Sequence, residues 1–456
     1  MRKTRESTVK AQPLPVIRSQ VAGLDLGSQE HWVCGPARPD GAPNVRVCGT
    51  TTPQLQELAE WLQTQGVESV AMESTGVYWI PVYELLASLG FEVVLVNARE
   101  LKSVPGRKTD MKDCQWIQRL HSCGLLRGSF RPDASICALR ALHRQWENLI
   151  AERTKAVQWM QKALDQMNVQ VHRAVTDLTG KTGLAIVRAI IAGERDPQTL
   201  AAFRDGRCKK SREAIAEHLT GTWHPEHLFN LEMAVALYDS LQAMITTYEA
   251  RLRQDIETLQ PPDRTDQPPP VHPNPAKEKA LRARGEQDAR DTLWRFAGVD
   301  LTRIDGISSR AAHVVLTEVG LDLSAFPSEK AFISWLRLSP RTPISGGKPL
   351  SNKRKGMGAT RVAGVLRMAA LSLARSTTAL GAYFRRIARR KDGAVAVFAT
   401  ARKLATYIYR MLRYGQDYVD IGERAYEAQF QHRRLQRLTA SAKSLGYTLT
   451  PLPESP

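Results

Sequence analysis

Four acidic side chains in the first quarter of the chain have the types and spacing of a divalent-metal site. Asp25 lies within the apolar run 21–26, and Glu73 closes a second apolar run, residues 70–73. Asp110 and Asp113 are three residues apart, so on a helix they share one face. Clustered carboxylate oxygens bind hard cations such as Mg²⁺, which support chemistry at phosphodiesters. We call these four residues the acidic tetrad.

Each acid taken alone also has an ordinary structural explanation. An Asp in a strand is often a cap or a turn residue, and Asp110 has the position of a helix N-cap or first-turn acid. The ordered set is more specific, because four close carboxylates repel one another unless a cation neutralises them. Two metal ions would do so, and they would activate a nucleophile and stabilise the leaving oxygen.

The elements that must position the acidic tetrad follow from hydrophobic patterning. Apolar runs predict strands at residues 20–27, 31–35, 44–48, 68–73 and 91–96. Helices are predicted at residues 53–65 and 79–89 and from Asp110 onward. An α/β RNase H-like sheet has this order of elements: three strands, then helix, strand, helix, strand and helix. On that fold the first strand, the fourth strand and the last helix meet at one edge, and these elements carry the acidic tetrad.

Long helices are predicted beyond Pro132. Apolar residues recur at three- and four-residue steps from Leu142 to Val171 and again from Leu228 to Leu259. This spacing indicates a coiled-coil-like pair of antiparallel helices, formed within the chain or across a dimer. Seven prolines in residues 261–275 then indicate a stiff linker and a domain boundary.

The last predicted domain, mostly α-helical, contains two segments of interest. Residues 301–320 resemble a helix-hairpin-helix element, whose glycine turn at Gly306 would present backbone N–H groups to phosphates; a plain helical turn is an equal alternative. Further on, Ser345 precedes Gly346 and Gly347, which permit close approach of the backbone to a phosphate. A turn without catalytic function is the commoner explanation of such a Ser-Gly-Gly segment.

The charge is distributed unevenly along the chain. The net charge is +18, yet residues 341–413 alone hold 17 Lys and Arg and one acid, Asp392. Residues 20–130 hold 9 basic and 12 acidic residues. A region with so few balancing acids favours nucleic-acid binding over a merely solvated surface. The candidate phosphate contacts are Arg341, Lys348, Lys353, Arg354, Lys355, Arg361, Arg385, Arg386, Arg389 and Arg390.

Other classes of protein are disfavoured by composition. We find no apolar run long enough for a transmembrane helix and no apolar signal core near Met1. The six cysteines form no CxxC pair, which indicates a reducing cytoplasm rather than disulfides or a zinc site. We therefore expect a cytoplasmic bacterial protein associated with the nucleoid and not with a membrane.

The motifs in order closely resemble the DEDD insertion-sequence transposases. The resemblance rests on the sequences GLDLG, AMESTGVYW, RKTDMKD and RLSPRTPISGGK, and it spans roughly residues 20–420. It implies a RuvC-like N-terminal domain, a coiled-coil middle and a C-terminal transposase domain. It further implies that the acidic tetrad holds Mg²⁺, as one or two ions with Mn²⁺ as a substitute, and that Ser345 is the nucleophile. Cys114 departs from the family, which commonly has Ala directly after the last Asp.

The resemblance also implies partners and boundaries. Members recombine donor and target DNA, act as homo-oligomers (dimers or tetramers) and are guided by a structured bridge RNA. Combined with the patterns above, it gives the following expected segments: a disordered basic tail at 1–18, the RuvC-like domain at 19–131, a helical coiled-coil region at 132–260, a Pro-rich linker at 261–290, the C-terminal transposase domain at 291–425 and a tail at 426–456.

Two other functions are compatible with parts of the pattern. A RuvC-like junction endonuclease would use the same four acids with metal-activated water and would not need Ser345. A non-catalytic nucleic-acid-binding scaffold would need neither, but acids stand at all four positions. We expect a transposase that cuts and rejoins DNA.

Overall fold

The computed structural model describes residues 15–74, 76–97, 110–206, 208, 210–261, 269–283, 285–339, 344–345, 348–349 and 360–450, excluding the side chains of 110–112, 344–345 and 348–349. The chain divides into two compact units, residues 1–131 and 132–456. Most of the tail predicted at residues 1–18 lies outside the described residues, which begin at Pro15. The first unit contains a mixed α/β sheet and the second is mainly helical, as predicted.

The first unit is built on a five-stranded sheet. Its strands are β1 (Val21–Leu26), β2 (Glu30–Cys34), β3 (Val45–Gly49), β4 (Ser69–Glu73) and β5 (Glu92–Val96). They lie in the order β3-β2-β1-β4-β5. The pairs β1–β2 and β2–β3 are antiparallel, whereas β1–β4 and β4–β5 are parallel. The carboxyl ends of β1 and β4 therefore meet at one edge of the sheet.

Helices cover both faces of this sheet. Helices α1 (Thr52–Thr64) and α2 (Trp79–Ser88) pack on one face, where Leu24 of β1 and Met72 of β4 are buried in a common core. Helix α3 (Asp110–Ser122) packs on the other face through Ile117. Because β1 and β4 are buried on both faces, their sequences are nearly continuous apolar runs. Asp25 interrupts the first run, and Glu73 ends the second.

Two long helices dominate the start of the second unit. They are α4 (Ala134–Gln166) and α9 (Pro225–Thr258). Trp146 donates a hydrogen bond to Glu249, and Arg153 donates one to Gln242. Along the pair, residue numbers rise on α4 while they fall on α9, so the two helices are antiparallel. They pair within the chain, which is one of the two arrangements predicted from the sequence. The short helices α5 (Val171–Ala174), α6 (Lys181–Ile191), α7 (Pro197–Ala201) and α8 (Arg212–Glu217) pack around one end of it.

The structure differs from the linker predicted at residues 261–290. This segment contains α10 (Pro275–Ala283) and the start of α11 (Gln287–Ala297). Lys277 of α10 donates hydrogen bonds to the carbonyls of Thr302 and Ile304, and His272 is 3% exposed. Arg290 forms a buried ion pair with Asp300. The described part of the segment is therefore packed into the second unit.

The remaining helices form the C-terminal part of the second unit. They are α12 (Ser309–Val319), α13 (Glu329–Trp335), α14 (Arg361–Ser372), α15 (Ala379–Arg390), α16 (Gly393–Tyr414) and α17 (Gly422–Ser444). A short hairpin pairs β6 (Ile344–Ser345) with β7 (Lys348–Pro349). The tail predicted to begin at residue 426 is thus helical as far as Ser444. Within the described residues, no helix is long and apolar enough to cross a membrane.

Candidate active site

Asp25 and Glu73 lie at the carboxyl ends of adjacent parallel strands. The β1–β4 register pairs Gly23 with Ala71 and Leu24 with Met72, so Asp25 and Glu73 occupy the next level. Both acids are half-buried. The sheet therefore brings two of the predicted ligands to one edge, although 48 positions separate them in the sequence.

Both acids are on the face of the sheet that α3 covers. Ala71 packs with Ile117 of α3, and Glu73 follows Ala71 by two residues on the same strand. Gly23 approaches α3 so closely that a Cβ atom there would lie 2.2 Å from the backbone nitrogen of Gln118. Asp25 follows Gly23 by two residues, and side chains two apart on a strand share a face.

Helix α3 supplies the other two acids. Asp113 is half-buried and precedes Ile117 by four residues, one helical turn, so it lies on the side of α3 that packs on the sheet. Asp110 is the first residue of the helix, and its side chain lies outside the described residues. The sheet thus places Asp25 and Glu73 at one edge, and the helix that covers the same face begins at Asp110 and carries Asp113.

Cys114 follows Asp113 on α3, and its thiol lies near Asp25. It is fully buried, and burial is the main cause that raises the pKa of its thiol to about 12. The Cys34 thiol and the Asp25 carboxylate also contribute to this shift, which places Asp25 within electrostatic reach of the residue next to Asp113. A thiol held neutral in this way is a small apolar side chain that fills space beside the carboxylates.

The acidic tetrad has the donor chemistry of a divalent-metal site, namely carboxylate oxygens at a half-buried sheet edge. Among the described side chains, however, there is no group of three or more potential ligands close enough to hold a metal ion. The side chain of Asp110 lies outside the described residues. The donor set fits a hard cation, and the described acids alone do not complete the site.

Ser345 lies in the second unit, at the end of β6. It pairs with Lys348 of β7 across the two intervening glycines. The side chains of Ser345 and Lys348 lie outside the described residues, as do Gly346 and Gly347 themselves. The backbone of residues 344–345 and 348–349 forms a two-stranded hairpin. The turn predicted at Gly346 and Gly347 lies outside the described residues and stays a prediction.

The glycine turn predicted to resemble a helix-hairpin-helix element precedes α12. Gly306 has φ +86°, and a Cβ atom there would lie 2.8 Å from the carbonyl oxygen of Ala369. Packing against α14 is sufficient to require glycine at this position. A cavity of about 800 Å³ opens beside the turn, with Arg310 and Arg361 in its lining. Phosphate binding by the turn stays a prediction.

The predicted basic contacts differ in their surroundings. Arg361 forms ion pairs with Glu147 and Glu318. Arg385 pairs with Glu423 of α17 and donates to two backbone carbonyls. Arg386 donates to the Tyr426 hydroxyl and stacks on aromatic rings of α17. These three side chains thus have protein partners, whereas Arg389 and Arg390 are exposed. Arg341, Lys353, Arg354 and Lys355 lie outside the described residues.

A buried polar cluster between α4 and α12 was not predicted. Glu318 of α12 accepts two hydrogen bonds from Arg144, both 2.7 Å, and a third contact comes from Arg140. Beside it, the His143 and His313 ring centroids are 4.5 Å apart. Burial, aided by neighbouring arginines, lowers the pKa of His143 to about 4. No short-range sequence spacing could identify this cluster, since its members are about 170 residues apart.

Two protein-family models match separate segments of the chain. A transposase model of the DEDD type from IS110 elements matches residues 22–169. A model described as the transposase IS116/IS110/IS902 family matches residues 299–385. The first match includes every member of the acidic tetrad, and the second includes Ser345. No curated protein matches the chain.

Proposed function

Because the chain belongs to the IS110 family of DEDD transposases, enzymes that recombine DNA, we propose that it cuts and rejoins strands through Ser345 and the acidic tetrad. The observation that carries the proposal is the meeting of Asp25 and Glu73 at one sheet edge, on the face covered by the helix of Asp113. The strand order and directions support an RNase H-like assignment for this unit.

The acidic tetrad would hold the divalent metal, Mg²⁺ as one or two ions with Mn²⁺ as a substitute. When bound, the metal supplies charge stabilisation at the phosphate and at the leaving oxygen. The chain's own contribution is to keep the carboxylates of Asp25, Glu73 and Asp113 half-buried, which reduces solvent screening. Asp25 and Glu73 are positioned by the sheet, and Asp113 is positioned by α3, which begins at Asp110.

Ser345 would act as the nucleophile of a two-step exchange. Its Oγ forms an ester bond to a DNA phosphorus, the phosphorus–oxygen bond to one deoxyribose breaks, and that sugar leaves as a hydroxyl after taking up a proton. The hydroxyl of a second DNA strand then attacks the phosphoserine and releases Ser345. One phosphodiester is lost and one is made, so no ATP is required.

DNA and RNA would bind through the basic C-terminal region. Arg341, Lys348, Lys353, Arg354, Lys355, Arg361, Arg389 and Arg390 are the proposed phosphate contacts, and they would give affinity rather than sequence choice. Sequence choice is proposed to come from pairing with a bridge RNA. We further propose that the antiparallel pair α4–α9 is a coiled coil that serves a homo-oligomeric enzyme.

The deciding experiment is trapping of a covalent protein–DNA adduct on a nicked suicide substrate in Mg²⁺, with any RNA that co-purifies retained. Wild-type protein is expected to form an adduct that survives denaturing electrophoresis, and Ser345→Ala is expected to reduce it to background. Ser351→Ala, six residues further along, is the matched control and should keep the adduct.

Each alternative gives a distinct result. An adduct that persists in Ser345→Ala refutes the assignment of the nucleophile. Metal-dependent cleavage that leaves no adduct in wild-type protein, and that is unchanged in Ser345→Ala, supports the RuvC-like endonuclease that uses activated water. Absence of both cleavage and adduct supports a non-catalytic scaffold.

A further inference from the structure

Among the described residues, helix α17 contacts α15 through its first half. Tyr426 is its one buried residue. Arg385 pairs with Glu423, and the Arg386 guanidinium lies 4.8 Å from the Tyr426 ring centroid and 3.8 Å from that of Phe430. The two arginines that the sequence suggested as phosphate contacts therefore hold this helix in place.

The two helices run in parallel. The backbone nitrogen of Glu423 donates to the Thr377 carbonyl just before α15, and Arg386, further along α15, contacts Phe430, further along α17. Since both numbers rise together, the carboxyl ends of the two helices lie at the same end. The exposed Arg389 and Arg390 at the end of α15 are thus level with the residues of α17 that follow Phe430.

Beyond Phe430, α17 is surrounded by solvent. Of residues 431–444, which we call the α17 arm, all but Ala442 are exposed. The arm holds four cations and no acid, namely Arg433, Arg434, Arg437 and Lys443. At its base the cations are crowded: burial first, then Arg386, Arg433 and Arg410, lower the pKa of Lys403 on α16. Crowded cations favour a polyanionic partner, which relieves their repulsion.

We propose that the α17 arm binds the phosphate backbone of double-stranded DNA. A single helix is 10–12 Å wide with its side chains, close to the 12 Å width of the major groove. Arg433, Arg434 and Arg437 lie within about 100° of one another around the helix axis, so the three can contact the phosphates of one wall of that groove together. A second copy of the arm is the wrong partner, because pairing would bring cations against cations. The inference rests on the chain acting on DNA and not on the role of Ser345, and the arm lies outside both matched segments.

The test is the salt dependence of binding, with full-length protein, a 30-base-pair duplex and EDTA so that no strand is cut. The variant Arg433→Gln, Arg434→Gln, Arg437→Gln keeps helix-forming side chains and removes three charges. Loss of three phosphate contacts should reduce the slope of log K against log salt by about 2.7, and should weaken binding at least about tenfold near physiological salt. Circular dichroism checks that the variant stays folded.

The matched control removes three exposed cations of the long helices by Lys162→Gln, Arg251→Gln, Arg253→Gln. An equal loss of slope in this control would show a general effect of net charge and overturn the proposal. An unchanged salt slope in the arm variant would also overturn the proposal. The same holds if the arm variant loses affinity for an RNA duplex and not for the DNA duplex. A change in oligomeric state without a change in DNA binding would identify the arm as a protein interface and also overturn it. Because no strand is cut in EDTA, none of these results depends on the nucleophile.

Discussion

At the scale of single residues, the buried pair His143 and His313 makes the stability of the fold depend on pH. The His143 side chain is 1% exposed, and the Nε2 atoms of both rings have no hydrogen-bond partner among the described residues. Burial lowers the pKa of His313 to about 3 and that of His143 to about 4, from an ordinary value of 6.5. As pH falls below 6.5, the unfolded chain binds protons that the folded chain does not. Stability therefore falls with pH down to about 4 on account of His143 and down to about 3 on account of His313.

His313→Phe keeps a planar ring and removes one of these groups. We expect its stability loss between pH 6.5 and pH 4.5 to be smaller than that of wild-type protein by about 2 kcal/mol. Chemical denaturation at the two pH values measures this, with His432→Gln on the exposed part of α17 as the control for loss of an imidazole. Equal pH dependence of His313→Phe and wild type would mean that His313 is not buried in its neutral form.

At the scale of residues, the sequence contains local signals for the candidate acids and none for the partners of the bases. Asp25 and Glu73 were predicted because each interrupts or closes an apolar run, and Asp110 and Asp113 were predicted from their three-residue spacing. Arg385 and Arg386 were predicted as phosphate contacts from charge alone, but their partners, Glu423, Tyr426 and Phe430, belong to a helix almost forty residues away. A charged side chain gives no local sign of whether it faces solvent or anchors a neighbouring element.

At the scale of elements, the position of α3 against β1 depends on Gly23. A Cβ atom at this position would lie 2.2 Å from the Gln118 backbone nitrogen and 2.6 Å from the Cys114 carbonyl oxygen. Gly23→Ala must therefore push the helix away, and with it Asp113. We expect destabilisation by about 1–3 kcal/mol and loss of metal-dependent cleavage.

The control for Gly23→Ala is Gly364→Ala in α14. A Cβ atom there meets nothing within 4 Å among the described residues, and alanine in a helix is more favourable than glycine by about 0.5–1 kcal/mol. Thermal unfolding should therefore show opposite shifts for the two variants, downward for Gly23→Ala and upward for Gly364→Ala. A Gly23→Ala protein as stable and as active as wild type would mean that the contact between β1 and α3 is looser than described.

The strands were predictable and the linker was not, for a physical reason. Each of the five strands of the first unit begins and ends within one residue of its predicted range. In β1 and β4, burial on both faces makes the sequence a nearly continuous apolar run, which is a local signal of a strand. The proline-rich segment was misjudged because it is held by contacts made at a distance. Arg290, 2% exposed, donates to both Asp300 and the Pro270 carbonyl. Proline content reports local stiffness and says nothing of such partners.

At the scale of the whole molecule, the two halves of the proposed chemistry lie in different units. The acidic tetrad lies in residues 1–131, and Ser345 lies in residues 132–456. The charges are divided in the same way, since residues 20–130 hold more acids than bases and residues 341–413 hold 17 bases and one acid. A phosphate is attracted to the second region and, without a bound cation, repelled by the first. A phosphate is therefore expected to bind at the acidic tetrad only when a metal ion is bound there.

Asp25→Asn tests whether the two units form one site. If the metal at the acidic tetrad serves the phosphate that Ser345 attacks, then Asp25→Asn should lower adduct formation by at least about a hundredfold, although Ser345 is intact. The control is Asp40→Asn, an exposed acid of the first unit whose carboxylate accepts a hydrogen bond from the Ala42 backbone, and it should form the adduct at the wild-type rate. An adduct formed at the wild-type rate by Asp25→Asn would separate the two units functionally, with the acidic tetrad cutting and the serine hairpin acting elsewhere.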